Sequence, residues 1–386
     1  MAVTAVAAVA VGGAIAARQG PTTGTTLEAA PLGGTTSTTP TVPTTAPATP
    51  MHKPSGKPTP TRTPTRTPSS ETPPPSGPVA LEAGKLAQGK DPQLTYRLDR
   101  TVLGAGKEQK VPSTGSLMDV ARLGGSVLAT TAGGELLKVD SSGAVVRRTP
   151  HVMTLIGTPD QSAVAYATTP PVIVGEQTYG STLYAEAGGS PKSLELPDVQ
   201  SIYVLAYAKG TIYYKASVKG AERTLKLYTW TPGDAKPALV KTVAGDAMAV
   251  SDDGRLASVL STNSGCFAVV EIATGNKRFK TCDYRISGFT PDSATAIATP
   301  AYGDSYCSNI VTALDSRSGS VRRQWSGCFY RAVAEDQQHV LMVAVVAGGG
   351  QDPNTKSTVV RCSLDTAACE RATAVVAAKQ IDFARS

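Results

Sequence analysis

The stretch from Gly245 to Arg331 constrains the fold more than any other part of the chain, because it carries one small pattern twice. Ala249-Val250-Ser251-Asp252-Asp253-Gly254-Arg255-Leu256-Ala257 reads as an apolar strand, an acidic turn and a second apolar strand. Glu271-Ile272-Ala273-Thr274-Gly275-Asn276-Lys277 then places another turn between two more strands. Both turns return as Thr290-Pro291-Asp292-Ser293 and Leu314-Asp315-Ser316-Arg317-Ser318-Gly319. Each repeat therefore supplies two hairpins, or four short antiparallel strands. Such a unit buries its faces only by stacking on its neighbours.

The first hairpin of each repeat can be followed along the chain by the residue at its turn: Gly124, Asp160, Lys209, Asp253, Asp292 and Asp336. The intervals are 36, 49, 44, 39 and 44 residues. A β-propeller blade takes roughly 40 to 50 residues, so the period predicts blades with loops of unequal length. Alternating strands precede each turn (Leu117 to Ala121, Met153 to Ile156, Ile202 to Ala206, Ala247 to Val250, Ile286 to Phe289, Ala332 to Ala334). An apolar strand follows each one. No segment sustains a 3.6-residue apolar period over ten residues, so almost no helix is expected. Gln380 to Arg385 resembles a seventh inner strand that stops at its turn. Gln93 to Leu98 and Glu108 to Val111 read as the missing outer hairpin, with Val79 to Leu81 as a third strand. Closing the ring with strands from both termini removes a free edge. The expected fold is all-β: a seven-bladed propeller over residues 79–386 with a composite closing blade. Six blades is the alternative.

The turns also carry a resemblance. Thr158-Pro159-Asp160-Gln161, Ser251-Asp252-Asp253-Gly254 and Thr290-Pro291-Asp292-Ser293, each followed by an apolar strand, resemble the Ser-Pro-Asp-Gly turn of WD-repeat-like and YVTN-type β-propellers, here in an exported bacterial form. Val139 to Gly143 and Glu271 to Gly275 resemble the Asp-x-x-Thr-Gly turn of the same families. The likeness spans about 270 residues and implies the propeller fold. The chain lacks the Trp-Asp and Gly-His dipeptides of true WD repeats, and the repeated Trp of quinone-dependent dehydrogenase propellers. No activity is inherited through it.

Six cysteines allow fifteen connectivities, and hairpin symmetry selects one. Cys266 and Cys282 are centred on Thr274, Cys307 and Cys328 between Arg317 and Ser318, and Cys362 and Cys369 between Asp365 and Thr366. Each centre is a predicted turn, so each pair faces across two outer strands, where Cβ atoms approach within about 4.5–5.5 Å. Three disulfides are expected, in an oxidising compartment. No Cys-x-x-Cys spacing suggests a metal site instead.

The remaining segments fit export. Residues 2–17 are almost pure Ala, Val, Ile and Gly, too short for a comfortable span of about 20 residues. Ala14-Ile15-Ala16 has the form of a signal-peptidase site. Residues 1–20 are read as a signal peptide or the remnant of a membrane anchor. No basic residue precedes the apolar run, so Met1 is expected to lie inside a longer product. Residues 21–78 hold 15 Pro and 18 Thr in 58 positions. Such a chain cannot offset its ordering entropy by burial and is expected to be a disordered, extended spacer. Charged residues make up 17% of the chain and the net charge is +7. No long basic run is present, so nucleic acid is not an expected partner.

Catalytic chemistry is hard to find. No Gly-x-Ser-x-Gly elbow occurs. Gly84 to Lys90 mimics a P-loop, but Asp91 stands where Ser or Thr would hold magnesium. His52, His151 and His339 are scattered. No cofactor, metal ligand or catalytic residue is assigned. Polar residues on predicted inner strands are the candidates for a ligand site at the channel: Asp119, Arg122, Arg285, Arg331, Asp382 and Arg385. A water-filled channel lined by the same residues is the plainer reading. Tyr203, Tyr207, Tyr213, Tyr214, Tyr228 and Trp230 crowd the third blade, and packing between blades is expected to take them up. The function expected is that of a non-catalytic binding module, monomeric and extracellular or on the outer face of the cytoplasmic membrane. Residues 2–17 would be its tether, and an envelope protein, a glycan or a small ligand its partner. The alternative is an extracellular propeller enzyme, lactonase-, lyase- or glycosidase-like, using acidic residues at the channel.

Overall fold

The structure, a computed structural model, describes residues 77–171, 178–261, 264–303, 306–349, 352–377 and 381–385. The expected signal or anchor segment and the spacer up to residue 76 lie outside the described residues. Among these residues the fold is all-β, and the one helical turn is the 3-10 segment Ala83–Lys85. The Gly84 to Lys90 segment thus lacks the helix that a phosphate loop requires.

Five separate four-stranded sheets follow the predicted hairpins. Leu117–Leu123, Ser126–Thr131, Leu136–Val139 and Val145–Thr149 form one, and Val152–Gly157, Val164–Thr168, Ser181–Glu186 and Lys192–Leu196 the next. Val199–Ala208, Thr211–Val218, Lys226–Trp230 and Ala238–Leu239 form the third, and Asp246–Val250, Leu256–Leu260, Phe267–Glu271 and Lys277–Thr281 the fourth. The fifth pairs the last described strand with residues 96–110, in the order Ile381–Phe383, Tyr96–Leu98, Thr101–Gly104, Lys107–Lys110. A nine-stranded sheet covers residues 284–377, with Val79–Ala80 added to it. Its long strand Val321–Ala334 pairs with Ser308–Asp315 through its first part and with His339–Ala347 through its second. One strand is thus the outer edge of one blade-like unit and the inner edge of the next.

The turn chemistry explains the repeated motif. In Thr158-Pro159-Asp160, the Thr hydroxyl donates to Asp160 at 2.6 Å and accepts the Ala163 N–H at 3.0 Å. Ser251 does the same with Asp253 (2.7 Å) and the Leu256 N–H (2.9 Å), and Thr290 with Asp292 (2.6 Å) and the Thr295 N–H (3.0 Å). These bonds close the hairpin locally, which is why Ser or Thr precedes Asp by two residues. At the second turn type, Asp315 Oδ1 accepts the N–H groups of Arg317 and Ser318. Gly319 there takes φ 75°, a region open to glycine at no steric cost.

The core lies between sheets. Clusters join each sheet to its successor: Ala121 and Leu128 with Leu155 and Val164, Ile156 and Leu183 with Ile202 and Tyr214, Ala206 and Leu227 with Ala247 and Val259. Leu256 and Val269 then meet Ile286 and Phe289, and Ile297 and Trp325 meet Ala332 and Met342. Leu341 and Val343 pack on Tyr96 and Phe383 of the terminal sheet, and Val102 of that sheet packs on Leu117 and Val127. The succession returns to its first member.

Two expectations need correction. Val79–Ala80 does not join the terminal sheet; it runs parallel to Trp325–Ser326. The third strand of the terminal sheet is Thr101–Gly104, within what read as a loop. The segment between them is tied down by Arg361, whose Nη1 and Nη2 donate to the Lys90 and Asp91 carbonyls at 2.8 and 3.0 Å.

The cysteine pairing is as hairpin symmetry required: Cys266–Cys282, Cys307–Cys328 and Cys362–Cys369, with Cα–Cα distances of 4.2, 5.4 and 4.2 Å. Three such bonds accord with an oxidising compartment. No helix of the described residues is long and apolar enough to cross a membrane.

Candidate functional site

The innermost strand of each sheet from residue 117 to 334 carries an extra residue near the middle or start of its ladder. Met118 and Asp119 together oppose Thr130, and Met153, Leu205, Met248, Ser287 and Tyr330 are each an insertion against the neighbouring strand. A bulge re-aims the side chains beside it. On the first sheet it directs Asp119 toward the terminal sheet.

There Ile381–Phe383 meets Tyr96–Leu98. The ladder sets Arg97 opposite Asp382. Arg331 Nη1 donates to Asp382 Oδ1 at 2.8 Å, and Arg97 Nη2 lies 3.7 Å from Asp382 Oδ2. Arg385 Nε pairs with Asp119 Oδ1 at 3.1 Å. Burial pushes the Asp119 carboxyl above its ordinary range, against the pull of Arg385 and Arg331, and nearby Asp382 adds to the rise. Three arginines therefore face two carboxylates. Arg97, Asp119, Asp382 and Arg385 line a cavity of about 420 Å³, together with Met118 and Met153. A guanidinium has five N–H donors. The ion pairs, with Arg97 Nε donating to the Met118 carbonyl at 3.3 Å, engage only some of them.

Of the six residues singled out by sequence, four gather here: Asp119, Arg331, Asp382 and Arg385. Arg122 does not. It is 4% exposed, donates Nη2 to the Val102 and Lys107 carbonyls at 2.9 and 3.1 Å, and ties the first sheet to the terminal one. Its burial lowers its pKa. Arg285 is exposed, and no hydrogen bond or ion pair links it to the cluster. Arg97 was missed because its strand read as part of an outer hairpin.

A second charged station was also missed. Lys215 Nζ, on the third sheet, donates to Asp246 of the fourth at 2.8 Å and lies 5.7 Å from the centre of the Tyr203 ring. The aromatic residues of the third sheet are mostly core: Tyr214 and Trp230 are buried, and Tyr214 stacks on Tyr228 at 5.6 Å. Tyr203 is the exception, at 42% exposure. Of the other histidines, His339 pairs with Asp336 at 2.9 Å beside a hairpin turn, and His52 lies outside the described residues.

Four-stranded antiparallel sheets in a succession that closes on itself define a β-propeller. No family model and no curated protein matches the chain. Among solved structures it is similar to the β-propeller domain of Cps50 (Swd1) from Myceliophteria thermophila, at 9% identity and a TM-score of 0.43, covering 69% of this chain and 87% of that one. It is similar to Hsv2 of Kluyveromyces lactis at 10% identity and a TM-score of 0.44 (76% and 96% covered). An uncharacterised protein of Listeria monocytogenes EGD-e is similar at 11% identity and 0.49 (72% and 96%). Identity at this level carries no function from any of them to this chain.

Proposed function

We propose that residues 79–386 form a seven-bladed β-propeller that acts outside the cytoplasm as a non-catalytic binding module for an anionic ligand. The nine-stranded sheet counts as two blades sharing Val321–Ala334, and the terminal sheet is the composite seventh. Residues 1–20 direct or anchor the chain at the membrane, and the 21–78 spacer holds the propeller off the envelope surface. A negatively charged envelope glycan, a small carboxylate or an acidic segment of an envelope protein fits the site.

The observation that carries this reading is the cluster of three arginines (Arg97, Arg331 and Arg385) on two carboxylates (Asp119 and Asp382), all but Arg331 of which line the 420 Å³ cavity. A hydrogen bond to a charged group contributes about 1.5–3 kcal/mol, so losing one arginine should weaken an anion roughly tenfold or more. The test is calorimetric titration of the full chain with a uronic-acid oligosaccharide and with its neutral counterpart. The acidic sugar should bind more tightly, lose affinity with added salt, and lose about tenfold in Arg385→Ala. Equal binding of both sugars, or none of the acidic one, sinks the reading.

The enzyme alternative rests on Asp119. Its raised carboxyl shares the cavity with Asp382, as a general acid and its partner would. Turnover of a glycoside or lactone abolished by Asp119→Asn would favour it over simple binding.

A further inference from the structure

Two methionines are placed where methionine is seldom found. Met118 and Met153 are 54% and 59% exposed, although this side chain is usually buried. By contrast Met342 is fully buried in the core. The two exposed residues hold matching positions, each second in the innermost strand of its sheet (Leu117–Leu123 and Val152–Gly157). Each sits at the bulge of that strand, so the ladder itself turns the side chain out. The two strands are neighbours, joined beneath by Ala121, Leu123, Val152 and Leu155. Both thioethers line the cavity described above, and so does His151. His151 is exposed and holds a left-handed φ of 59° immediately before the second strand.

Two thioethers and one imidazole lining one cavity make a soft donor set. We propose that Met118, Met153 and His151 form a binding site for a monovalent soft metal ion, Cu(I). Thioether sulfur favours Cu(I) over Zn(II), Mg(II) or Ca(II), and imidazole completes a three-coordinate set. The thiols that would compete are consumed: all six cysteines are in disulfides. Among the described residues no group of three or more His, Cys, Asp or Glu could hold a harder ion. Asp119 and Asp382 line the same cavity and offset the repulsion that Arg97 and Arg385 exert on a cation, while Arg331, paired with Asp382, adds one further positive charge. A single positive charge suits that balance better than a double one. The site binds without redox change or bond cleavage. It does not depend on the anion-binding reading, because the arginines and the sulfurs are different groups.

The test is anaerobic titration of the full chain with Cu(I) against a chromophoric Cu(I) chelator, repeated with Ag(I). One equivalent per chain should bind. Met118→Leu and Met153→Leu should each weaken binding about tenfold or more, and His151→Ala likewise. Methionine to leucine conserves volume, and both positions are exposed, so these variants should fold; circular dichroism checks this. X-ray absorption at the copper edge should report sulfur neighbours that the double variant Met118→Leu/Met153→Leu loses. Met248→Leu, on the fourth sheet, should leave the titration unchanged, and Arg385→Ala, which removes a repelling charge, should not weaken it. Failure to bind a stoichiometric equivalent, or binding that survives in the double methionine variant, overturns the proposal. Loss of uronate binding in Arg385→Ala, read in the same preparations, reports on the anion site alone.

Discussion

Asp252 should make the fold less stable at neutral pH than it is in mild acid. It occupies the turn between Asp246–Val250 and Leu256–Leu260 beside Asp253. The two carboxylates differ in their surroundings. Burial pushes Asp253 up, but bonds from the Ser251 hydroxyl (2.7 Å) and the Arg255 N–H (3.0 Å) more than reverse this, and its pKa falls to about 2. Asp252 has no such partners. Burial, then the charge of Asp253, raises it from 3.8 to about 6. A folded-state pKa above the unfolded one means that the protonated form is favoured by folding. Stability is therefore fully present below about pH 4, is lost as pH rises towards 6, and stays lost above it. Two pKa units correspond to at most about 3 kcal/mol. Because Asp252 is half-buried and partly screened by water, about 1–2 kcal/mol is the expected cost. Asp252→Asn removes the charge and keeps the shape. Urea unfolding of the full chain at pH 7 should show the variant more stable by that amount, with a Tm a few degrees higher. At pH 4 the two proteins should unfold together. A variant no more stable at pH 7, or a gain that persists at pH 4, refutes the reasoning.

The disulfides should differ in worth with the length of chain they close. Loop entropy gives about 3 kcal/mol for the 16- and 21-residue spans of Cys266–Cys282 and Cys307–Cys328, and nearer 2 for the seven-residue span of Cys362–Cys369. Paired Cys→Ala variants, compared by urea midpoint, should therefore lose least at Cys362–Cys369. Phe383, 2% exposed and packed with Leu341, Val343 and Val359, holds the last strand into the ring. Phe383→Ala should cost roughly 3–5 kcal/mol and expose residues 93–111 to limited proteolysis. A cost below about 1 kcal/mol would mean that closure does not depend on this strand.

What could be read from the sequence was local, and what could not was set by distant pairing. The Thr158, Ser251 and Thr290 turns act on main-chain groups within five residues, so their chemistry is written in adjacent letters. The cysteine pairs are symmetric about such turns and were legible for the same reason. Val79–Ala80 was misplaced because it pairs in parallel with Trp325–Ser326, which leaves no symmetry about any turn. Thr101–Gly104 was missed because Gly104-Ala105-Gly106 reads as loop, whereas the tight reversal at Ala105 (φ 50°) and Gly106 (φ 70°) joins two paired strands. The site divides in the same way. Asp119 and Arg122 were both marked as charges on one inner strand, yet Asp119 sits at the bulge of that strand and Arg122 in its regular ladder. The Asp119 carboxylate accordingly meets Arg385 while Arg122 meets the carbonyls of the adjoining sheet. Arg97 stood opposite Asp382 only once Tyr96–Leu98 and Ile381–Phe383 were paired. The candidate site is built at the seam where the ring closes, from residues 97, 119, 331, 382 and 385. Changes that loosen the seam should therefore weaken ligand binding before they unfold the outer blades. Phe383→Ala, titrated with the uronic-acid oligosaccharide under conditions where circular dichroism is still native, should bind it more weakly than the parent chain. Unchanged affinity in that variant would separate the site from the closure of the ring.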